Sequence, residues 1–427
     1  MKTNNRKKLM GIIIITIVIF GIAVWAMSRS LPYPIPSGEF KVGTVILDVE
    51  DSSRTEWALT EKQQNRRFVT RIWYPAKPTG KETMLPIMEK PYSEGMQKLY
   101  GFPVGKEQPS YSHINAPVYL GEKPFPILIF THGVGSFMTQ NLTSIEDLVS
   151  QGFIVMSLSF PYESVATVFS DGSVIRMNDI EEFKAGMSKL AKNKDFISQF
   201  VRNTEEMKNS DPEIAKAASI ALGEKYIQLY PNMKVWLDTR VEDVAYLINN
   251  LNEISIEKQN LIDIADIDNI GLFGHSFGAL TTLQFLMEKD LPAVKCGVAL
   301  DVPYFNMDST STISLKAPIL FMSSDYIKLS GSKVKLKGLN DFLKHYTNET
   351  LYEANIKGAA HYNFSDMNYL PKFMKLTPML GSISQKEAAR IMKFYLDVYF
   401  KGHLKGENLN KIEDSISSEV EFREITQ

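Results

Sequence analysis

Apolar residues fall along the chain in three kinds of pattern. The first is continuous. Leu9 to Met27 carries no charged residue and includes four consecutive isoleucines. A hydrocarbon core needs about 20 such residues as a helix. Arg6, Lys7 and Lys8 precede the run, and a basic flank stays on the cytoplasmic side. The expected organisation is a cytoplasmic N-terminus over 1–8, a transmembrane signal anchor over 9–27, a linker over 28–37 and a globular domain over 38–427. That places a single-pass protein in the cell membrane with its domain outside. The competing reading is a cleaved signal peptide, with Ala26 and Ser28 as small residues before the cut and a secreted product. Ser28 to Pro36 holds three prolines and suits a linker.

The second pattern is the short apolar run bounded by turn residues, which predicts strands. Lys41 to Asp48 and Phe68 to Tyr74 read as a pair joined by a charged turn. Phe125 to Thr131 and Phe153 to Ser159 are apolar on both faces, as buried strands are. Asn269 to Gly274, Lys295 to Leu300, Pro318 to Met322 and Leu351 to Ile356 follow, the last expected to be the final strand. Pro75 to Pro124 gives no period and is expected to be irregular.

The third pattern has helical spacing. It covers Ser144 to Gln151, Ile180 to Met207, Glu213 to Tyr230, Val235 to Leu251 and the segment after Ser276. In the fourth of these Val244, Leu247, Ile248 and Leu251 form one stripe; in the last, Leu280, Leu283 and Met287 do. Ser384 and Glu387 have capping-box spacing. They open a final helix whose buried face is expected to be Ala388, Ile391, Met392, Tyr395, Val398 and Tyr399. Strand and helix alternate except over about 162–234, which reads as a helical insertion capping the site.

Composition narrows the function classes. A net charge of -2 on 427 residues gives no electrostatic footprint for nucleic acid. The single cysteine, Cys296, excludes an intrachain disulfide and reads as a small buried hydrophobe. The six histidines show no zinc-ligand spacing, so neither a metal nor another cofactor is expected. Sequons at Asn141, Asn348 and Asn363 are read as chance, because a glycan on Asn363 would sit two residues from a candidate catalytic histidine.

The chemistry centres on Gly274-His275-Ser276-Phe277-Gly278, between a predicted strand and a predicted helix. In that context Gly-x-Ser-x-Gly makes a tight turn that presents the serine as a nucleophile. The bland reading is a turn in which Ser276 caps the helix. A serine hydroxyl needs a base to take its proton, and a carboxylate orients that base. The chain order Ser, acid, His selects His361, which follows the last predicted strand in Gly358-Ala359-Ala360-His361. His345 and His403 lie within helical patterns; His132 and His275 flank the motif glycines and suit local packing or hydrogen bonding. Asp301 and Asp325 each end a strand, and spacing leaves them tied as the acid. Thr131-His132-Gly133-Val134-Gly135, after a central strand, suits an oxyanion loop.

Gly-His-Ser-Phe-Gly, Cys-Gly-Val-Ala-Leu-Asp and Gly-Ala-Ala-His-Tyr-Asn-Phe-Ser-Asp together resemble the plasma and type II intracellular platelet-activating factor acetylhydrolases. Phe-Thr-His-Gly-Val-Gly and Gly-Phe-Ile-Val add to the resemblance, which runs from about Gly38 to the final helix. The chain departs at Ala279, where the family has a second glycine. The resemblance implies an α/β-hydrolase fold: a mostly parallel central sheet, helices on both faces and a helical insertion. It implies Asp301 as the acid and the amides of Val134 and Phe277 as the oxyanion hole. It also implies hydrolysis of short acyl chains on phospholipids. A general short-chain carboxylesterase is the alternative within the same chemistry. A membrane-tethered binding ectodomain without catalysis is the alternative outside it.

Overall fold

The computed structural model describes residues 30–426 except 60–63, 102–107, 179, 257–258, 303–304, 306–312, 330–331, 372–378 and 415. The expected cytoplasmic segment, the anchor and residues 28–29 of the linker lie outside the described residues. Among the described residues no helix is long and apolar enough to cross a membrane.

Among the described residues, eleven strands form one sheet. They are β1 (Lys41–Thr55), β2 (Asn65–Ala76), β3 (Met84–Pro86), β4 (Pro109–Ile114), β5 (Phe125–Thr131), β6 (Ile154–Ser159), β7 (Ala265–His275), β8 (Val294–Leu300), β9 (Ile319–Ser324), β10 (Leu351–Ile356) and β11 (Val420–Ile425). Their order across the sheet is β11-β10-β9-β8-β7-β5-β6-β2-β1-β4-β3. The run from β10 to β6 is parallel throughout. Antiparallel pairs join β6 to β2, β2 to β1, β4 to β3 and β10 to β11.

Among the described residues, eight helices accompany the sheet: α1 (Lys90–Tyr100), α2 (Leu142–Ser150), α3 (Ile180–Lys192), α4 (Lys194–Glu206), α5 (Pro212–Leu229), α6 (Asn232–Asn249), α7 (Phe277–Glu288) and α8 (Gln385–Lys405). The two-residue period of a strand sends alternate side chains to opposite faces. On β5, Ile127 and Ile129 join the core containing Val241 and Val244 of α6 and Leu280 and Leu283 of α7. Leu128 and Phe130 join a second core, with Leu142 and Ile145 of α2 and Ile391 and Tyr395 of α8. The central strands are therefore apolar on both faces because helices cover both. This is the α/β-hydrolase architecture.

Three expectations need correction. Pro75 to Pro124 is not irregular: it contains β3, α1 and β4. Leu351 to Ile356 is not the last strand, because β11 adds antiparallel to its outer edge. The helical pattern from Ile180 to Met207 is two helices, since Asn193 turns its side-chain oxygen to the Phe196 amide (3.0 Å) and starts α4 afresh. Before α3 the chain also makes a short hairpin, Ala166–Val168 with Val174–Arg176. In α8, Ser384 caps through the Glu387 amide at 3.1 Å. The Glu387 carboxylate turns instead to Arg390, so the predicted box is half formed. Of the face expected on α8, Val398 is only half-buried, and Ala389, Leu396, Phe400 and Leu404 are buried as well.

Candidate functional site

Parallel strands bring their carboxyl ends to one edge, and a ligand crevice forms there. Five of the loops at this edge carry the sequence candidates. Between β7 and α7 the chain reverses in one residue, Ser276, with φ 58° and ψ -121°. A side chain other than glycine rarely holds a positive φ, and such strain costs about 1–3 kcal/mol. The flanking glycines make the turn possible. A Cβ on Gly278 would stand 1.9 Å from the carbonyl oxygen of Thr131, and one on Gly274 would stand 2.2 Å from that of Gly278. The Ser276 amide donates to Leu300 O at 2.9 Å, and its carbonyl accepts from the Leu280 amide at 3.1 Å. Its hydroxyl makes no capping bond to α7. The bland reading of Ser276, a capping hydroxyl, is therefore not what the chain uses.

Asp301 follows β8 and also takes a positive φ, 55°. Its amide donates to Met322 O at 2.7 Å. One carboxylate oxygen, Oδ1, accepts from the Ser324 amide at 2.6 Å. The other, Oδ2, lies 2.7 Å from His361 Nδ1. Burial alone would raise this carboxyl, but the His361 bond and charge and the Ser324 donors outweigh it, so its pKa is lowered. Asp325, tied with Asp301 on spacing, ends the neighbouring strand; the contact to His361 belongs to Asp301. With Nδ1 bonded to the carboxylate, the imidazole carries its proton there and presents Nε2 as a lone pair.

The loop holding His361 is pinned by Asn363. Its side-chain oxygen accepts from the Ala360 amide (2.9 Å) and the Gly381 amide (2.8 Å). Asn363 is 1% exposed and Asn141 is fully buried, donating to Phe364 O at 2.8 Å. Two of the three sequon side chains are thus consumed inside the fold, whereas Asn348 is exposed.

The loop after β5 approaches from the other side. Thr131 Oγ1 donates to Gly278 O at 2.9 Å, tying it to the serine turn. Arg240 of α6, fully buried, donates to His132 O at 2.5 Å and pairs with Glu163 at 3.0 Å. Glu163 O in turn accepts from the Gly135 amide at 3.2 Å. His132 itself meets Ser164 Oγ at 2.9 Å. It is held well below its ordinary pKa by burial and by the Arg240 charge. Val134 sits on this loop beside Gly133. Phe277 is the first residue of α7, where an amide has no acceptor within its own helix.

Ser276, His275, His361, Gly133 and Val134 line one cavity of about 360 Å³. The rest of its wall includes Met96 and Tyr100 of α1, Phe137, Tyr362 and Met367, together with Leu31 and Tyr33 from the linker. No hydrophobic period marks this wall, because α1 carries Pro91 and Gly95 and the linker is proline-rich. Nor does one mark Gln140. That side chain accepts from the Gly133 amide at 3.0 Å and lies 2.5 Å from His275 Nδ1. A lone glutamine in a polar loop carries no sequence signal of such a role. Among the described residues no three His, Cys, Asp or Glu side chains gather as a metal site. Cys296 is buried.

The chain has relatives among known proteins. The model of the family "platelet-activating factor acetylhydrolase, isoform II" matches residues 25–420. The platelet-activating factor acetylhydrolase of Canis lupus familiaris is 27% identical over 322 residues, which cover 71% of this chain and 64% of that protein. The Bos taurus protein is 25% identical over 316 residues with the same coverage. The chain therefore spans a little under two thirds of the length of these relatives. A ferulic acid esterase from Streptomyces cinnamoneus superposes with a TM-score of 0.63 at 18% identity, covering 91% of this chain and 98% of that one. This likeness shows the fold. The match over 25–420 takes in the serine turn, the Asp301–His361 pair and the loop after β5, and the chain belongs to the platelet-activating factor acetylhydrolase isoform II family.

Proposed function

We propose that the chain is a serine ester hydrolase that removes short acyl chains from phospholipids through an acyl-enzyme. The observation that carries this reading is the strained serine turn facing the same cavity as a histidine whose Nδ1 is held by a buried carboxylate. Ser276 Oγ attacks the acyl carbonyl carbon while His361 Nε2 takes its proton. The amides of Val134 and Phe277 donate to the oxyanion. The tetrahedral intermediate collapses, the ester C–O bond breaks and His361 returns the proton to the leaving alcohol. Water then attacks the acyl-enzyme, His361 takes its proton, and the carboxylic acid leaves as Ser276 is restored. Asp301 stays ionised and stabilises the imidazolium. None of these steps requires a metal or organic cofactor.

The substrate class is supported by membership in a family named for an acetylhydrolase of a phospholipid, and by a cavity walled largely by apolar and aromatic side chains. Its location follows from the sequence alone: a single-pass anchor over 9–27 with the domain outside. N-terminal sequencing of the mature protein tests the anchor, and a terminus near Arg29 would mean a secreted enzyme.

The function is tested with purified protein on acetylated and oxidised phospholipids beside short-chain neutral esters. Ser276→Ala should lower turnover by several orders of magnitude without changing the melting temperature. A fluorophosphonate should label the wild type and not this variant. Substantial activity in Ser276→Ala would refute the nucleophile. Hydrolysis of neutral esters but no phospholipid would make the chain a general carboxylesterase. No labelling and no hydrolysis would leave a binding ectodomain.

A further inference from the structure

One chain of hydrogen bonds runs beside the reacting groups and joins three loops. The Gly133 amide donates to Gln140 Oε1 at 3.0 Å, Gln140 Nε2 lies 2.5 Å from His275 Nδ1, and His275 Nε2 lies 2.9 Å from His361 O. Its polarity is forced. A backbone amide only donates, so Gln140 must turn its oxygen to Gly133 and its nitrogen to His275. That nitrogen only donates, so His275 Nδ1 is bare and the ring proton sits on Nε2, aimed at the His361 carbonyl. Burial, with the nearby His361 ring, pushes the His275 pKa down to about 3, which keeps the ring neutral as this pattern requires. The two imidazoles lie 4.6 Å apart between centroids. The backbone of Gln140 is fixed too, since its carbonyl accepts from the Asp366 amide at 3.1 Å.

We infer that Gln140 and His275 are positioning residues, which set the distance between the base on the β10 loop and the oxyanion donor Val134 on the β5 loop. Neither takes or gives a proton in the reaction. Each link of the chain has one polarity, so it holds the loops in a single register. The inference rests on the ester-hydrolase reading and adds to it the residues that align its parts. A displacement of about 1 Å in such a site is enough to cost on the order of a hundredfold in rate.

The test compares Gln140→Met, His275→Phe and His275→Gln with wild type on a soluble short-chain ester, with melting temperatures alongside. Methionine and phenylalanine keep bulk but cannot pass the polarity on. Glutamine at 275 can, with its oxygen accepting from Gln140 and its amide donating to His361. Expected are kcat losses of about thirtyfold to a hundredfold in Gln140→Met and His275→Phe, KM within threefold of wild type, and recovery of most of the rate in His275→Gln. Losses under threefold in both would overturn the inference, as would equal impairment of His275→Phe and His275→Gln. Should His275→Phe fail to fold, Gln140→Met carries the test by its kcat and KM. An inert wild type would instead refute the hydrolase reading, whereas an active wild type with indifferent variants refutes this inference alone.

Discussion

Carboxylates on the two sides of the cavity, Asp301 and Glu146 buried and Asp366 half-buried, have pKa values shifted in opposite senses. Asp301, behind His361, is held below its ordinary pKa. Asp366 on the cavity wall and Glu146 beside Tyr33 are each pushed up to about 7. All three are desolvated, and desolvation raises each of them. Hydrogen-bond donors are also present in every case: Thr143 gives Asp366 its amide (2.9 Å) and hydroxyl (2.5 Å), and Glu146 receives the Tyr111 amide (2.9 Å) and the Ser112 hydroxyl (2.5 Å). The difference is what else faces the group. Asp301 faces an imidazole able to carry positive charge, whereas Asp366 feels the charge of Glu146. Burial sets the cost of an ion here; the neighbour decides whether that cost is met.

The largest break in this comparison is Asp301→Asn. The shape survives, but Asn can give His361 Nδ1 a donor where it needs an acceptor, which reverses the tautomer. In the serine-protease triad this change costs about ten-thousandfold in kcat, and a loss of that order is expected on a short-chain ester. A loss below about tenfold, in protein of unchanged melting temperature, would mean that the pair does not orient the base.

The opposite group should show itself in stability instead. The folded pKa of Glu146, about 7, lies above its ordinary 4.5. A raised pKa contributes stability that is complete below about 4.5 and is lost as pH rises through 7. The shift of about 2.5 units bounds this at roughly 3 kcal/mol. Glu146→Gln keeps the acceptor for Tyr111 and Ser112 and removes the titration. Its urea midpoint should therefore change less between pH 5 and pH 8 than that of wild type, and should stand above wild type at pH 8. His275, with its lowered pKa, works in the other direction: its contribution is complete above about 6.5 and falls as pH drops towards 3. It is common to both proteins and cancels in the difference. Parallel curves for the two proteins would show that Glu146 is ionised throughout.

How much of this was legible in the sequence differs between the two sides of the cavity. The β5, β8 and β10 strands are legible within a residue or two: β5 is apolar along almost its whole length, and β8 and β10 are short runs with apolar residues at their ends, bounded by turn residues. The serine turn and His361 were legible because local chemistry repeats there: glycines where a Cβ would collide, and a short small-residue loop after a strand. The other side is built from β4, α1 and the linker. The β4 residues Pro109–Ile114 are mostly polar, and α1 contains Pro91 and Gly95, so neither shows a clean period. Tyr33, Glu146 and Asp366 meet there from segments more than a hundred residues apart, and no spacing along the chain encodes that meeting. The edge strand β11 is hidden for a related reason, since Glu421, Arg423 and Glu424 lie among its apolar residues.

The smallest effect is expected one strand along from Asp301, and it tests whether position at a strand end is enough. Asp325 follows β9 as Asp301 follows β8, and on spacing the two are equivalent. The backbone separates them. Asp301 turns through a positive φ and lets its carboxylate reach His361 Nδ1, while the Ser324 amide, just before Asp325, is spent on Asp301 Oδ1. The β9 end thus serves the acid by lending it a donor from its main chain. Asn at 325 leaves that main-chain donor in place, and it can accept the local bonds of a turn as Asp does. Asp325→Asn should keep kcat within about threefold of wild type and alter stability by less than about 1 kcal/mol, as surface substitutions usually do. A dead Asp325→Asn beside an active Asp301→Asn would move the acid one strand along the sheet. The 2.7 Å contact between Asp301 and His361 would then be a resting arrangement that the substrate displaces, and the case for a phospholipid acetylhydrolase over a general esterase would weaken with it.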